Sequence, residues 1–265
     1  LDSRVIETAL IDSDIVAYRC AAATENDTED IARWQTSEMM RRILHETNAM
    51  RYKCFISGSD NFRYAVYPEY KANRKDMPKP KHLQVVREHL VTEWQAVIAD
   101  GVEADDLMGI AQCSEHDGDT VICTIDKDLL MIPGRHYNFV KQEFRHVSPL
   151  EGIRHLYLQA ILGDRADNIF GFDGKARSKV PKFLQDNVDV IETLTDESDM
   201  FDYVRDMYND DVRYLTNLSC LWIQRHDGDF YFRREVVRQK AKILQETAMD
   251  DSLLCVLQNI EKTIM

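Results

Sequence analysis

Carboxylates recur at the ends of apolar runs in this 265-residue chain, and side chains of that type and number suit the binding of hard cations. Asp12 and Asp14 follow the run in ETALIDSD, Asp60 follows CFIS, and Asp126 and Asp128 close TVICTIDKD. Glu103, Asp105 and Asp106 stand together in GVEADDLMGI, and Asp164 and Asp167 lie in QAILGDRADNIFG. An all-carboxylate set favours Mg2+ or Mn2+. Zinc would call for His and Cys at ligand spacing, and the eight histidines show no such grouping. With Asp12 and Asp14 as rivals for one place, up to nine converging acids are too many for one magnesium and suit a pair of ions about 4 Å apart, one activating a water and both stabilising charge on a phosphate. Other phosphate and acyl chemistries lack their motifs: there is no GxxxxGK[ST] loop, no GxGxxG turn and no GxSxG elbow.

Each cluster also has a simpler reading. Acids in the first turn of a helix complement its dipole, which would account for part of the group at 103–106. Asp12 could be a turn residue, Asp14 is its rival as a ligand, and Asp60 sits in Ser-Gly-Ser-Asp-Asn, ordinary turn chemistry. Gly163 followed by Asp164 reads, alone, as a helix stop. Three acids in four positions nevertheless exceed what a cap needs, and they repel one another unless a cation lies among them.

The elements that must position these acids alternate. Short apolar runs at 8–11, 52–56, 64–66, 96–99 and 120–125 read as buried strands, separated by helical periods at 38–50, 82–92 and 104–114. That alternation predicts an α/β fold with a central, mainly parallel sheet flanked by helices. In such sheets ligands gather beyond the carboxyl ends of the strands, where these acids lie. After about residue 149 the strand signal fades. Stretches at 150–162, 182–194, 200–208, 215–224 and 253–264 read as helices, with a possible short strand at 229–232. The expected organisation is an α/β core over 1–149 and a helical region over 150–265, together one compact unit. Tyr203, Tyr208, Tyr214, Leu221 and Trp222 read as core of that helical half.

Composition sets outer bounds. The chain is 44% hydrophobic and 30% charged, with 46 acids against 33 bases for a formal charge of −13. That balance speaks against a uniformly basic coat for nucleic acid. No run approaches the roughly 20 apolar residues of a membrane span, and the first residues lack the layout of a signal peptide. The expectation is a soluble, cytoplasmic protein without a membrane partner. Six scattered cysteines show no CxxC spacing and read as buried free thiols rather than a disulfide framework or a zinc site.

Two stretches break the acidic average. YPEYKANRKDMPKPKHLQ, 67–84, carries Lys71, Arg74, Lys75, Lys79 and Lys81 with Tyr67 and Tyr70 interleaved. It reads either as a solvated basic loop or as a gateway, spanning about 68–95, in which lysines grip phosphates and Tyr70 stacks on a base. GKARSKVPK, 174–182, holds Lys175, Arg177, Lys179 and Lys182 with no acid among them.

Asp12 in LIDSD, PEYKANR, GVEADDLMGI, TIDKDLL and GDRADNIFG occur in an order and spacing that resembles the 5′→3′ exonuclease and flap endonuclease family, of phage type or the small bacterial type. The resemblance covers about residues 8–185. It implies a PIN/FEN-like core, and a helical C-terminal half containing a helix-hairpin-helix-like element that grips duplex DNA. It further implies that Asp12, Asp60, Glu103 and Asp105 hold one metal, with Asp106, Asp126, Asp128, Asp164 and Asp167 around the second. By the same resemblance Lys71 and Arg74 hold and polarise the scissile phosphate. Tyr70, Lys75, Lys79, Lys81, Lys175, Arg177 and Lys179 are the expected DNA contacts. The family's glycine-rich hairpin, Gly-x-x-Gly-Ile-Gly, is represented here by 171–174 followed by Lys-Ala-Arg, and the missing glycine pair counts against a potassium site.

The expected function is therefore hydrolysis of DNA at or near 5′ ends, exonucleolytic or at flaps, with two Mg2+ or Mn2+ ions and 5′-phosphate products. Its partner is DNA with a 5′ end, duplex or flap, and an RNA/DNA hybrid is a further candidate. If the gene is a phage's, its place is the host cytoplasm, and a role in DNA replication follows. The alternatives are a PIN-like ribonuclease and a catalytically silent DNA-structure-binding relative. Setting the nine assigned acids aside leaves 37 against 33 bases, so the acidity belongs largely to the expected site.

Overall fold

The structure is a computed structural model that describes residues 5–114, 119–234, 237 and 252–264. In chain order it runs β1 (Thr8–Asp12), α1 (Ser13–Ala23), α2 (Glu29–Thr47), β2 (Arg51–Ser57), α3 (Arg63–Val66), α4 (Leu83–Glu93), β3 (Val97–Ala99), α5 (Ala104–Ser114) and β4 (Thr120–Cys123). Then come β5 (Gly134–Asn138), β6 (Glu143–Val147), α6 (Pro149–Leu162), β7 (Gly163–Asp164), β8 (Ile169–Phe170), α7 (Gln185–Thr193), α8 (Glu197–Tyr208), α9 (Asp211–Leu221) and α10 (Ser252–Ile264). Short 3-10 turns occupy Ala72–Arg74, Asp128–Met131, Lys182–Leu184 and Tyr231–Arg233. No helix among the described residues is long and apolar enough to cross a membrane.

The chain forms two compact units. The first comprises 1–61, 78–149 and 223–227; the second comprises 62–77, 150–222 and 228–265.

The first unit is built on a six-stranded sheet in the order β3-β2-β1-β4-β5-β6, parallel except for the β5–β6 pair. Ala9, Leu10 and Ile11 in β1, and Val121, Ile122 and Cys123 in β4, are fully buried, as strands covered on both faces must be. Strand order reverses between β1 and β4, whose carboxyl ends therefore lie side by side with Ile11 opposite Cys123. A crevice at such a reversal is where α/β sheets place ligands. Val16, Ala17 and Cys20 of α1, Met40 and Ile43 of α2, and Val86 and Leu90 of α4 share one core with Ala9, Ile11, Val121 and Cys123.

In the second unit α6 is followed by the small β7–β8 hairpin and then by α7, α8 and α9. Tyrosine hydroxyls tie these helices together: Tyr208 donates to the Ala160 carbonyl at 2.5 Å, Tyr214 to Phe201 at 3.0 Å, and the Tyr157 and Tyr231 hydroxyls meet at 2.9 Å. Tyr208, Tyr214, Leu221 and Trp222 are buried as expected, whereas Tyr203 is half-buried and its hydroxyl accepts from Asn187 Nδ2 at 2.9 Å.

The mainly parallel sheet flanked by helices is the fold expected from the sequence, with local corrections. Residues 64–66 form a turn of helix rather than a strand. Arg63, 1% exposed, fixes this turn by donating to the Cys220 and Trp222 carbonyls. Residues 229–232 are not a strand but lead into a 3-10 turn. Helix α2 starts nine residues before the expected 38, because Thr28 caps it and Glu29 and Asp30 favour its first turn. Strands β5 and β6 were not expected, since RHYN and EFRHV lack the apolar density of the inner strands.

Candidate functional site

Asp12 ends β1 and caps α1, its Oδ1 accepting the Ile15 N–H at 3.1 Å. Its Oδ2 accepts the Thr124 hydroxyl at 2.6 Å. The same Thr124 oxygen accepts the Asp126 N–H at 2.9 Å, and Asp126 Oδ1 accepts the Asp128 N–H at 3.0 Å. One chain of hydrogen bonds thus joins the carboxyl end of β1 to the loop after β4. Asp12 is 2% exposed. Burial pushes its carboxyl up to about 7, opposed by the bonds from Thr124 and Ile15 and reinforced by the charges of Asp14 and Asp126. A cation is the partner that makes the ionised form favourable in such a place.

Asp14 has a different task. Its Oδ1 pairs with Arg87 Nη1 at 2.5 Å and its Oδ2 accepts the Ser57 N–H at 2.7 Å, while Arg87 Nη2 donates to the Ser57 carbonyl at 2.5 Å. The Ser57 hydroxyl in turn accepts the Ala104 N–H at 3.1 Å, at the start of α5. Four elements, α1, β2, α4 and α5, are locked together here. The sequence reading missed Arg87 and Ser57; nothing in their local pattern pointed to them.

Asp60 is exposed beyond β2 and accepts the N–H of its neighbour Asn61 at 2.9 Å. Glu103 is buried and Asp105 half-buried at the first turn of α5. Asp106 is wholly buried, and its oxygens accept the backbone N–H groups of Glu103 at 3.0 Å and Gln224 at 3.1 Å. That is the helix-start role weighed for this cluster, and it adds an anchor for the 223–227 segment. Asp126 and Asp128 are half-buried.

In the second unit, PEYKANR docks onto GDRADN. Asn73 donates to the Arg165 carbonyl at 2.8 Å, Arg74 Nε to the Ala166 carbonyl at 2.8 Å, and Asn168 to the Glu69 carbonyl at 2.8 Å. Asp167 accepts from Tyr70 at 2.6 Å and from Arg74 Nη2 at 2.7 Å, with Lys71 Nζ 3.7 Å away. The Lys71 N–H donates to the Asp167 carbonyl at 3.0 Å from a left-handed backbone, φ +54°. Asp164 Oδ1 accepts the Ala166 N–H at 2.6 Å, closing the turn. The loop's base needs Gly163, at φ +71°, because a side chain there would strike Gly171 and Ile169.

This docking corrects one expectation. Tyr70 is 1% exposed, with its hydroxyl on Asp167 and Lys71 Nζ 4.9 Å from its ring centroid, so its ring is not open to stack on a base. Asn73 and Asn168, absent from the sequence reading, share in the clamp; the ANR and DN of the two motifs were their only trace. Lys75, Lys79 and Lys81 are exposed. Lys175 and Lys179 are exposed too, but Arg177 is engaged by Asp173 through bonds of 2.8 and 2.5 Å.

The fold places the chain in the PIN/FEN-like class of α/β proteins. The bacteriophage T5 D15 protein co-crystallised with metal ions superimposes with a TM-score of 0.63 at 14% identity, over 97% of this chain and 99% of that one. The T5 D15 flap endonuclease in a complex with DNA and metal ions gives 0.62 at 15% identity, over 97% and 99%. A family model described as 5′-3′ exonuclease, N-terminal resolvase-like domain, matches residues 7–155, and the chain belongs to that family. The 5′-3′ exonuclease of Buchnera aphidicola subsp. Schizaphis graminum is 30% identical over 133 residues, 44% of this chain and 46% of that protein. The flap endonuclease Xni of Shewanella sp. (strain W3-18-1) is 27% identical over 179 residues, 62% of this chain and 68% of that one. The match thus spans about half the length of the Buchnera protein.

Proposed function

We propose that the chain hydrolyses DNA phosphodiester bonds at or near 5′ ends, with Mg2+ or Mn2+ as cofactor. The observation that carries this reading is the Asp12–Thr124–Asp126 chain at the reversal of strand order, in a member of the 5′-3′ exonuclease family. Asp12, Asp60, Glu103, Asp105, Asp126 and Asp128 supply an all-oxygen donor set in the first unit, which fits hard divalent cations. Asp106 enters the proposal through its hold on the start of α5, in addition to the ligand role that the family resemblance implies. Asp164 and Asp167 are proposed as ligands in the second unit. Two bound cations would supply an activated water and positive charge opposite the phosphate, leaving a 5′-phosphate.

Lys71 and Arg74 would hold the scissile phosphate. The guanidinium bonds of Arg74 to the 165–167 loop fix its charge, and the backbone bond of Lys71 to Asp167 ties that residue to the same loop, which supports electrostatic preorganisation. Lys75, Lys79 and Lys81 would grip the strand, and Lys175 and Lys179 the duplex, as sequence-independent phosphate contacts. A substrate of DNA supports a cytoplasmic location, the host's cytoplasm if the gene is a phage's. The test is hydrolysis of 5′-labelled duplex, 5′-flap, RNA/DNA hybrid and single-stranded RNA substrates, each with Mg2+ and with EDTA. Metal-dependent cleavage of the DNA substrates supports the reading; cleavage of RNA alone would make the protein a ribonuclease.

A further inference from the structure

After β8 the second unit carries a loop that ends in the 3-10 turn Lys182–Leu184. Leu184 is buried at 2%, whereas its neighbour Phe183 is 66% exposed. A single exposed aromatic needs no explanation in general. Phe183 differs in what lies beside it. The Arg177 guanidinium carbon sits 5.4 Å from the ring centroid. Asp173 holds that guanidinium in a two-pronged pair, and the Arg177 N–H donates to the Leu162 carbonyl at 3.1 Å. The ring is therefore backed by a fixed cation. In the same stretch of chain Lys175, Lys179 and Lys182 are exposed, and the one acid between 170 and 183, Asp173, is occupied by Arg177.

We propose that Phe183 stacks on the base pair left uncovered at the end or branch of a DNA substrate, with Lys175, Lys179 and Lys182 holding the adjacent phosphates. The proposal rests on the reading of the chain as a DNA-cleaving enzyme. Nucleic acid is the partner that offers both flat π-faces and a line of negative charge, matching an exposed aromatic ring in a lysine-rich stretch of chain. Within a continuous duplex every base pair is covered by its neighbours. A ring on a protein surface can reach a base face only where the stack is interrupted, as at a 5′ end or a flap junction. Backing by Arg177 suits this use, because a guanidinium on one face of the ring leaves the other for a base.

The test uses the full chain without divalent metal and a 5′-flap duplex carrying 2-aminopurine in the base pair next to the branch. Wild-type protein should quench the probe. Phe183→Ala should bind about tenfold more weakly, within the range for loss of one base–aromatic stack, and should lose the quenching. Phe183→Trp should retain both, and Phe183→Leu, apolar but without a ring, should behave like Ala. The melting temperature of Phe183→Ala should be unchanged, so that the binding loss is not one of folding. Equal affinity and quenching in wild type and Phe183→Ala would overturn the proposal, as would full retention in Phe183→Leu. So would a Phe183→Ala defect seen only in binding to phosphatidylglycerol vesicles. A wild-type chain that neither binds nor cleaves DNA would instead overturn the nuclease reading itself.

Discussion

Thr124 donates its hydroxyl to Asp12 Oδ2 at 2.6 Å and, through the same oxygen, accepts the N–H of Asp126 at 2.9 Å. One small side chain therefore couples the acid at the end of β1 to the acid after β4, and it does so beside a carboxylate that is 2% exposed. Replacing Thr124 by Val, nearly its isostere, leaves Asp12 with one donor fewer and the Asp126 N–H without its acceptor. The expected loss is about 1–3 kcal/mol in urea unfolding of the metal-free protein, with Thr124→Ser close to wild type. A Val variant as stable as wild type would mean that the hydroxyl contributes nothing.

Arg87 gives a second prediction. Its fork joins Asp14 to the Ser57 carbonyl, and both partners of the ion pair are about one-third exposed. Solvent screening lowers the value of such a pair below that of a buried one. Arg87→Ala should destabilise by about 1–2 kcal/mol, and Arg87→Lys, which cannot bridge both acceptors in a plane, should recover only part of it. A double-mutant cycle with Asp14→Asn checks the coupling; additive losses would show that the two side chains act separately.

How far the sequence could be read follows from the range of the interactions involved. β1 and β4 are apolar runs ending in acid, so both the strands and the position of Asp12 and Asp126 were legible. The pairing of Asp14 with Arg87, 73 positions apart, has no local signature, and it is this contact that separates Asp14 from Asp12. Tyr70 reads as a stacking residue from its basic neighbours, and only tertiary docking on Asp167, 97 positions away, buries it. The stretch 174–182 holds no acid, but Asp173 stands one position before it and pairs with Arg177. Residues 64–66 illustrate the limit of periodicity: a three-residue run fits a strand or a helical turn equally, and buried Arg63 decides.

Divalent metal should stabilise the protein. At one hundred times Kd, Mg2+ or Mn2+ binding to one site adds about 2.7 kcal/mol, visible as a rise in melting temperature. Asp12→Asn removes a charge that burial disfavours, so the metal-free variant should melt above the metal-free wild type while its metal-induced rise shrinks. Identical metal-induced shifts in the two proteins would exclude Asp12 as a ligand.

His136 sets an acid limit that is independent of the carboxylates. Burial pushes its imidazole down to about 4, and its Nε2 lies 2.7 Å from the Ile132 carbonyl. The unfolded chain takes up a proton below about 6.5, whereas the folded chain resists until about 4. The contribution is complete above 6.5 and is lost as pH falls towards 4, by on the order of 3 kcal/mol. His136→Gln should show a smaller drop in urea midpoint between pH 7 and 4.5; the same drop in both proteins would contradict this account.

The central claim, that carboxylates at the ends of β1 and β4 serve metal-dependent hydrolysis at DNA 5′ ends, is tested most directly by single-turnover cleavage of a 5′-labelled flap duplex. Wild type, Asp126→Asn and Lys71→Ala are compared at saturating Mg2+, with folding of each verified by thermal melting. Wild type should release short 5′-phosphorylated products and stop in EDTA, and each variant should be slower by at least about 100-fold, the scale for losing one preorganised charge at a phosphate. Cleavage by Asp126→Asn at the wild-type rate, or wild-type cleavage that persists in EDTA, would contradict it.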